Sequence, residues 1–195
     1  MIFASNNLDK VKEIENILGE KVLSLKDIKE KIEIDENKDT FLENAILKAK
    51  EVYKKTGIKT IAEDSGLEIP ALNGFPGVLT KRFLGPNKTD SNRNQEILLL
   101  MQDKKTRTCY FTSCFAFYDG INILTSTYKL KGEIARCEHI EKGFGFDSIF
   151  LYKKKFLSSM SLEEKNKISP RKFALLDLQK KIAKNCWFNN LIMLL

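Results

Sequence analysis

TIAEDSGLEIPALNGFPGV, Thr60 to Val78, opens as a buried strand, sets two carboxylates side by side at Glu63 and Asp64, and then breaks into a loop rich in glycine and proline. The surrounding chain is basic, with 33 Lys+Arg against 26 Asp+Glu. Adjacent acids in such a background either close a turn or hold something cationic. Neighbouring strand residues face opposite ways, so these two carboxylates converge only if the strand stops at Asp64 and the chain turns at Ser65-Gly66. The stretch is then a strand over KTIAED, a turn, and a second short strand over GLEIPAL. Magnesium takes hard oxygen ligands, with one or two carboxylates plus substrate phosphate, and two acids at a strand end suit it. An Asx turn at Asp64 with Glu63 exposed is the competing reading.

Around this stretch, helical and strand patterns alternate. MIFAS reads as a strand, and LDKVKEIENIL as a helix with Leu8, Val11, Ile14 and Leu18 on one stripe and Gly19 as its stop. KVLSL is a second short strand. DTFLENAILKAKEVYKKTG opens on a capping box, Thr40-x-x-Glu43, and ends at Gly57. Downstream come a helix over SNRNQEILLLMQ, a long hairpin turning at Asp119-Gly120, a strand over DSIFLY, a short helix over SLEEKNKIS and a last helix over RKFALLDLQKKIAK. This order predicts an α/β protein, a mixed sheet flanked by helices. The 195 residues suit one domain or two intimately packed lobes, and no linker or repeat marks a boundary.

Composition narrows the class. Hydrophobic residues make up 43% and charged residues 30%, a soluble globular profile. No apolar run approaches the roughly 20 residues of a membrane span, and the terminal run Leu191 to Leu195 reads as a packed or interface tail. Cys109, Cys114, Cys137 and Cys186 form no CxxC pair, which suits reduced thiols in a cytosolic protein. A single histidine, His139, excludes zinc sites built on several histidines, and its charged neighbourhood suits solvation. The net charge of +7 favours anionic partners without choosing among nucleic acid, nucleotide and membrane surface.

Three further segments carry candidate chemistry. In ASNNLDK a strand meets a helix through small polar residues, and a helix N-terminus is a ready anion site. Lys10 lies beside the Ile14 and Ile17 edge of the buried stripe and can lean into a cleft; alternatively, Asn7 only caps and Lys10 is surface. In TFLENAILKAK, Glu43 is explained as a capping acid and Lys48 as a solvated lysine. In GFGFDS the glycines around Phe144 and Phe146 would let a ring lie open for a purine to stack on, while Asp147, Lys165, Ser169 and Arg171 offer polar contacts. Core aromatics in a tight turn beside a charged helix are the alternative.

Taken in order, these segments resemble the inosine/xanthosine triphosphate pyrophosphatase family. ASNNLDK resembles its opening motif, with Ser5 where threonine is usual, and TFLENAILKA, AEDSGLEIPALNGFPGV, GFGFDSIF and EEKNKISPR follow in the expected sequence from about Met1 to Lys184. The resemblance implies an elongated two-lobed mixed sheet flanked by helices, anticodon-binding-like, with a cleft between the lobes in a single domain over 1–195. It implies Mg2+-dependent cleavage of a nucleoside triphosphate between the α and β phosphates by a cytoplasmic homodimer that needs neither nucleic acid nor membrane.

Carried onto this chain, the likeness gives Ser5, Asn7, Lys10 and Ser65 to the triphosphate and Lys48 to phosphate and catalysis. Glu43 and Asp64 serve the metal and the attacking water, Asp64 as base, with Glu63 as second ligand or orienter. Phe144 stacks on the base, with Gly145, Phe146, Asp147, Lys165, Ser169 and Arg171 around it. The chain departs from the family at Pro170, where histidine is usual, at Ser148, where proline is preferred, and at Lys81, which replaces a small residue. Proline supplies no side-chain donor, so Pro170 implies loosened discrimination of the 6-oxo purine edge. The alternatives are a same-scaffold triphosphate pyrophosphatase with shifted base specificity, and a non-catalytic basic nucleic-acid-binding module, which the acids argue against.

Overall fold

The computed structural model describes residues 1–28, 32–85 and 87–192, with side chains described through Asn185. The expected role of the Leu191–Leu195 tail and the thiol of Cys186 lie outside the described residues. The chain divides into two compact units. The first comprises Met1–Asp64, Ser113–Tyr128 and Arg171–Leu195; the second comprises Ser65–Thr112 and Lys129–Pro170. Seven strands follow one another in a single sheet in the order β2-β1-β3-β4-β5-β6-β7.

The parallel part of the sheet lies in the first unit. β1 (Ile2–Phe3) pairs in parallel with β2 (Leu23–Ser24) and with β3 (Thr60–Glu68), so that Ile2 stands opposite both Leu23 and Thr60. Parallel neighbours need crossovers, and α1 (Leu8–Leu18) and α2 (Phe41–Thr56) supply them. Alternating side chains fill both faces. Phe3 and Ile61 pack with Val11 and Ile14 of α1 and with Ala174, Leu175 and Leu178 of α5 (Pro170–Ile192). Ile2, Ala4 and Ala62 pack with Ala45, Ala49 and Val52 of α2. Small side chains on that second face let α2 lie close to the sheet.

The helix ends follow local chemistry. Asn7 caps α1, and Gly19 closes it at φ 72°, a conformation that favours glycine. Thr40 caps α2 by accepting from the Glu43 N–H at 3.2 Å. The Glu43 carboxylate, however, takes the Thr40 hydroxyl rather than its N–H, so only half of the expected box forms. Pro170 begins α5, where its missing N–H would have no helical partner anyway.

In the second unit, α3 (Asp90–Leu100), the outer parts of β4 (Thr108–Tyr118) and β5 (Ile123–Ile134), β6 (Phe150–Tyr152), β7 (Lys155–Phe156) and α4 (Leu162–Ile168) follow the rest of β3. β6 lies antiparallel to both β5 and β7. The core of this unit gathers Leu67, Ile69, Ile97, Met101, Phe146, Ile149 and Phe150. The hairpin turns as expected at Asp119, whose side chain accepts from the N–H groups of Ile121 and Asn122. Cys109, Cys114 and Cys137 form no disulfide, and burial pushes the Cys109 thiol up. His139 is half exposed beside Glu141. Among the described residues, no helix is long and apolar enough to cross a membrane.

One expectation is corrected. The strand does not stop at Asp64: β3 continues through Ser65 and Gly66 to Glu68, and only Pro70–Leu72 makes a tight helical turn. Ser65-Gly66 is turn chemistry in isolation, but pairing with neighbouring strands overrides that weak local preference. Glu63 and Asp64 therefore remain on opposite faces of the sheet.

Candidate active site

The two faces of β3 each receive one acid and one lysine, Lys48 buried and Lys10 partly buried. On the α1 side, Lys10 projects from the first turn, and its Nζ lies 2.6 Å from Glu63 Oε2. Arg171, at the start of α5, donates from Nε to Glu63 Oε1 at 3.2 Å and pairs through its other arm with Glu13. Ser113 donates to the same Glu63 oxygen at 2.9 Å. The Glu63 carboxylate has no solvent exposure, so these charged donors replace the water it has lost. On the α2 side, Lys48 Nζ lies 3.5 Å from Asp64 Oδ1 and donates to Glu36 Oε1 at 2.9 Å. Two carboxylates thus meet on one ammonium.

Burial sets the ionisations. It raises the Asp64 carboxyl above its ordinary range, and the ammonium groups of Lys48 and Lys10 offset this only in part. Burial also pulls the Lys10 ammonium down; Glu63 opposes the shift, whereas Arg171 and Lys48 add to it. For Lys48, burial acts in the same downward direction, but Asp64 and Glu36 outweigh it and hold the ammonium above its usual value. In this set three cationic side chains, Lys10, Lys48 and Arg171, face four carboxylates, Glu13, Glu36, Glu63 and Asp64.

The other residues expected at the phosphate end are placed differently. Asn7 Oδ1 accepts from the N–H groups of Asp9 and Lys10 at 3.0 and 3.4 Å, and Ser5 Oγ accepts from the Asn7 N–H at 3.1 Å. Three donors that an anion would use are thus met internally. Ser65 follows Asp64 on β3, partly buried. Glu43 stands on the exposed first turn of α2 with its carboxylate on Thr40; the acid that joins Asp64 on Lys48 is Glu36.

The sequence pattern does not single out Glu36, Glu13 or Ser113. The spacing of Glu13 from Lys10, three residues along one helix, was an available signal. The acidic run around Glu36 in a basic chain was a weaker one. Nothing local marks Ser113. Among the described residues, no three acidic, histidine or cysteine side chains cluster closely enough to hold a metal unaided. Asp64 and Glu36 converging on one cationic point are the right donors in kind for Mg2+, which commonly completes its shell with water and substrate phosphate.

The second unit holds the other candidates. Phe144 is 47% exposed, between Gly143 at φ 97° and Gly145 at φ 63°. A Cβ on Gly143 would come within 2.2 Å of Asp147 Oδ2 and 2.8 Å of Lys165 Nζ, so a side chain there would displace that ion pair as well as strain the backbone at φ 97°. Asp147 Oδ2 accepts from Lys165 Nζ at 2.7 Å and from the Phe144 N–H at 3.3 Å. Phe146 is buried in the core and takes the role of a packing residue. Ser169 closes α4. Lys81 is exposed, 3.5 Å from Asp90. The structure therefore brings together Phe144, Asp147 and Lys165, and places Arg171 with Glu63 and Glu13 in the first unit.

Comparison with known proteins covers nearly the whole chain. A sequence model of the Ham1 family matches residues 1–181. The dITP/XTP pyrophosphatase of Aquifex aeolicus is 34% identical over 197 residues, covering 95% of this chain and 97% of that protein. The protein of the same name from Borreliella burgdorferi is 40% identical, covering 95% and 96%. Among solved structures, a HAM1 protein from Coxiella burnetii superposes with a TM-score of 0.86 at 34% identity, covering 94% of this chain and 98% of that one. The Staphylococcus aureus Ham1 protein gives 0.86 at 31% identity, with the same coverage.

Proposed function

The chain belongs to the Ham1 family, and from that footing we propose that it hydrolyses nucleoside triphosphates of non-standard purines, inosine and xanthosine, to the monophosphate and pyrophosphate. The observation that carries this reading is the buried first-unit cluster, in which Asp64 and Glu63 of one strand each meet a lysine from a different helix. Phosphoanhydride hydrolysis depends chiefly on positioning and on neutralising charge, and this cluster offers both.

Asp64, its carboxyl raised by burial, is better matched than a free aspartate to accept a proton near neutral pH. The oxygen of water bonds to the α phosphorus, its proton passes to Asp64, and the electron pair of the broken P–O bond leaves with pyrophosphate. Lys10 and Lys48 offset the charge of the phosphates. Glu63 aims Lys10, and Ser113 and Arg171 fix Glu63. Asp64 and Glu36 would hold Mg2+, with Glu43 the further acid that the family likeness assigns to it. When bound, the ion supplies charge neutralisation and a more acidic water. Asp147 and Lys165 would read the base edge while Phe144 stacks on its face, and Arg171 serves the phosphate end. The same likeness carries the expectation of a cytoplasmic homodimer acting on free nucleotide.

A second reading, a broader triphosphate hydrolase on the same scaffold, is favoured by Pro170, which offers no donor to a base. Purified protein with Mg2+ and inosine triphosphate should release pyrophosphate, and comparing kcat/KM on inosine, xanthosine, guanosine and adenosine triphosphates separates the two readings. Release of pyrophosphate from none of them would remove both.

A further inference from the structure

Resting on the triphosphatase reading, we propose that Glu138, Asn94 and Ser148 form a positioning network that sets base affinity by fixing the loop carrying Phe144 and Asp147. Gly145 follows Phe144 directly, and both of its backbone groups are tied to α3. Its N–H donates to Asp90 Oδ2 at 2.8 Å, and its carbonyl accepts from Asn94 Nδ2 at 3.0 Å. Asn94 Nδ2 also reaches Glu138 Oε1 at 2.9 Å and Ser148 Oγ at 2.8 Å. With a carboxylate and a carbonyl on that side, the amide nitrogen must face them. The opposite Oδ1, buried, has no hydrogen-bond partner among the described residues, so asparagine at this position serves through its donors at a cost on its acceptor side.

Glu138 is the hub. Its carboxylate accepts from Ser91 Oγ, Asn94 Nδ2, Gln95 Nε2 and Ser148 Oγ, all at 2.8 to 2.9 Å. Burial alone would raise its carboxyl; these donors hold it below the usual range instead, which keeps it a strong acceptor. Ser148, next to Asp147, both donates to Glu138 and accepts from Asn94, so the network grips the loop on either side of Asp147. Proline, which the resembled family prefers at 148, could make neither bond. The network is thus built on a residue by which this chain departs from the family spelling. Among the described residues no aromatic ring stacks on Phe144; the backbone at Gly145 fixes where its half-exposed ring stands.

The test compares the full-length protein with Glu138→Gln and Ser148→Ala, the second a smaller change that protects against misfolding of the first. Hydrogen exchange of the amides at 143–148 should rise about tenfold in Glu138→Gln, with those of β1 and α2 unchanged. KM for inosine triphosphate should rise roughly five- to tenfold, with kcat lowered less than about twofold. Inhibition by inorganic triphosphate, which has no base, should keep its constant. Equal losses in both binding constants, or raised exchange with KM unmoved, overturn the proposal. Unchanged exchange in an active enzyme overturns it alone, whereas a wild-type protein that hydrolyses no triphosphate overturns the preceding reading and the base-affinity role together.

Discussion

Asp64 and Lys10 show what burial does to single ionisable groups in this cluster. The carboxyl is raised and the ammonium lowered, so the useful protonation window narrows from both sides. In the proposed mechanism hydrolysis requires the Asp64 carboxylate, so activity should be lost as pH falls through its raised value. The acid limb of kcat/KM should therefore lie above the ordinary value of about 3.9. The same mechanism requires charged Lys10, so the alkaline limb should begin below about 10.4. Both limbs belong to the coupled cluster, and a pH–rate profile matching isolated side chains would contradict this account. Asp64→Asn keeps the shape and removes the proposed base. It should lower kcat by roughly 10²- to 10⁴-fold in a pyrophosphate-release assay while circular dichroism stays unchanged.

At the scale of elements, β3 carries the candidate site because it does not end where its composition suggests. A turn at Ser65 would have brought Glu63 and Asp64 to one point; the continuous strand gives each its own helix and its own lysine. The same logic applies to the loop before β6. Gly143 occupies φ 97° against Asp147 and Lys165. Gly143→Ala should strain the backbone by about 1–2 kcal/mol and push that ion pair aside. For a chain of this size, such a strain corresponds to a fall in Tm of roughly 2–8 °C. KM should rise with it, and a variant unchanged in both Tm and KM would show that the close approach has no energetic weight.

For the molecule as a whole, base preference is the property most exposed to a single position. Pro170 satisfies the first turn of α5 but offers nothing to a base. Pro170→His should raise kcat/KM for inosine over adenosine triphosphate by roughly tenfold, the worth of one well-placed polar contact, and an unchanged ranking would refute that role. Much of this molecule was legible in its residues. The caps at Asn7 and Thr40, the stops at Gly19 and Gly57 and the turn at Asp119 are local signals with local causes, and the ordered motifs pointed to the family. The partners of the acids were not legible. Glu63 is 108 residues from Arg171 and 50 from Ser113, and no local pattern encodes pairs at such separations. The assignment of Arg171 to Glu63 and Glu13, of Glu36 to Lys48 and of Phe146 to the core followed from packing alone. By itself, the chain determined its elements and its chemical inventory, because propensity, capping and side-chain type act over a few residues. Only the tertiary structure decided which acid meets which base, because a buried charge takes whichever partner the packed sheet and helices bring within hydrogen-bond reach.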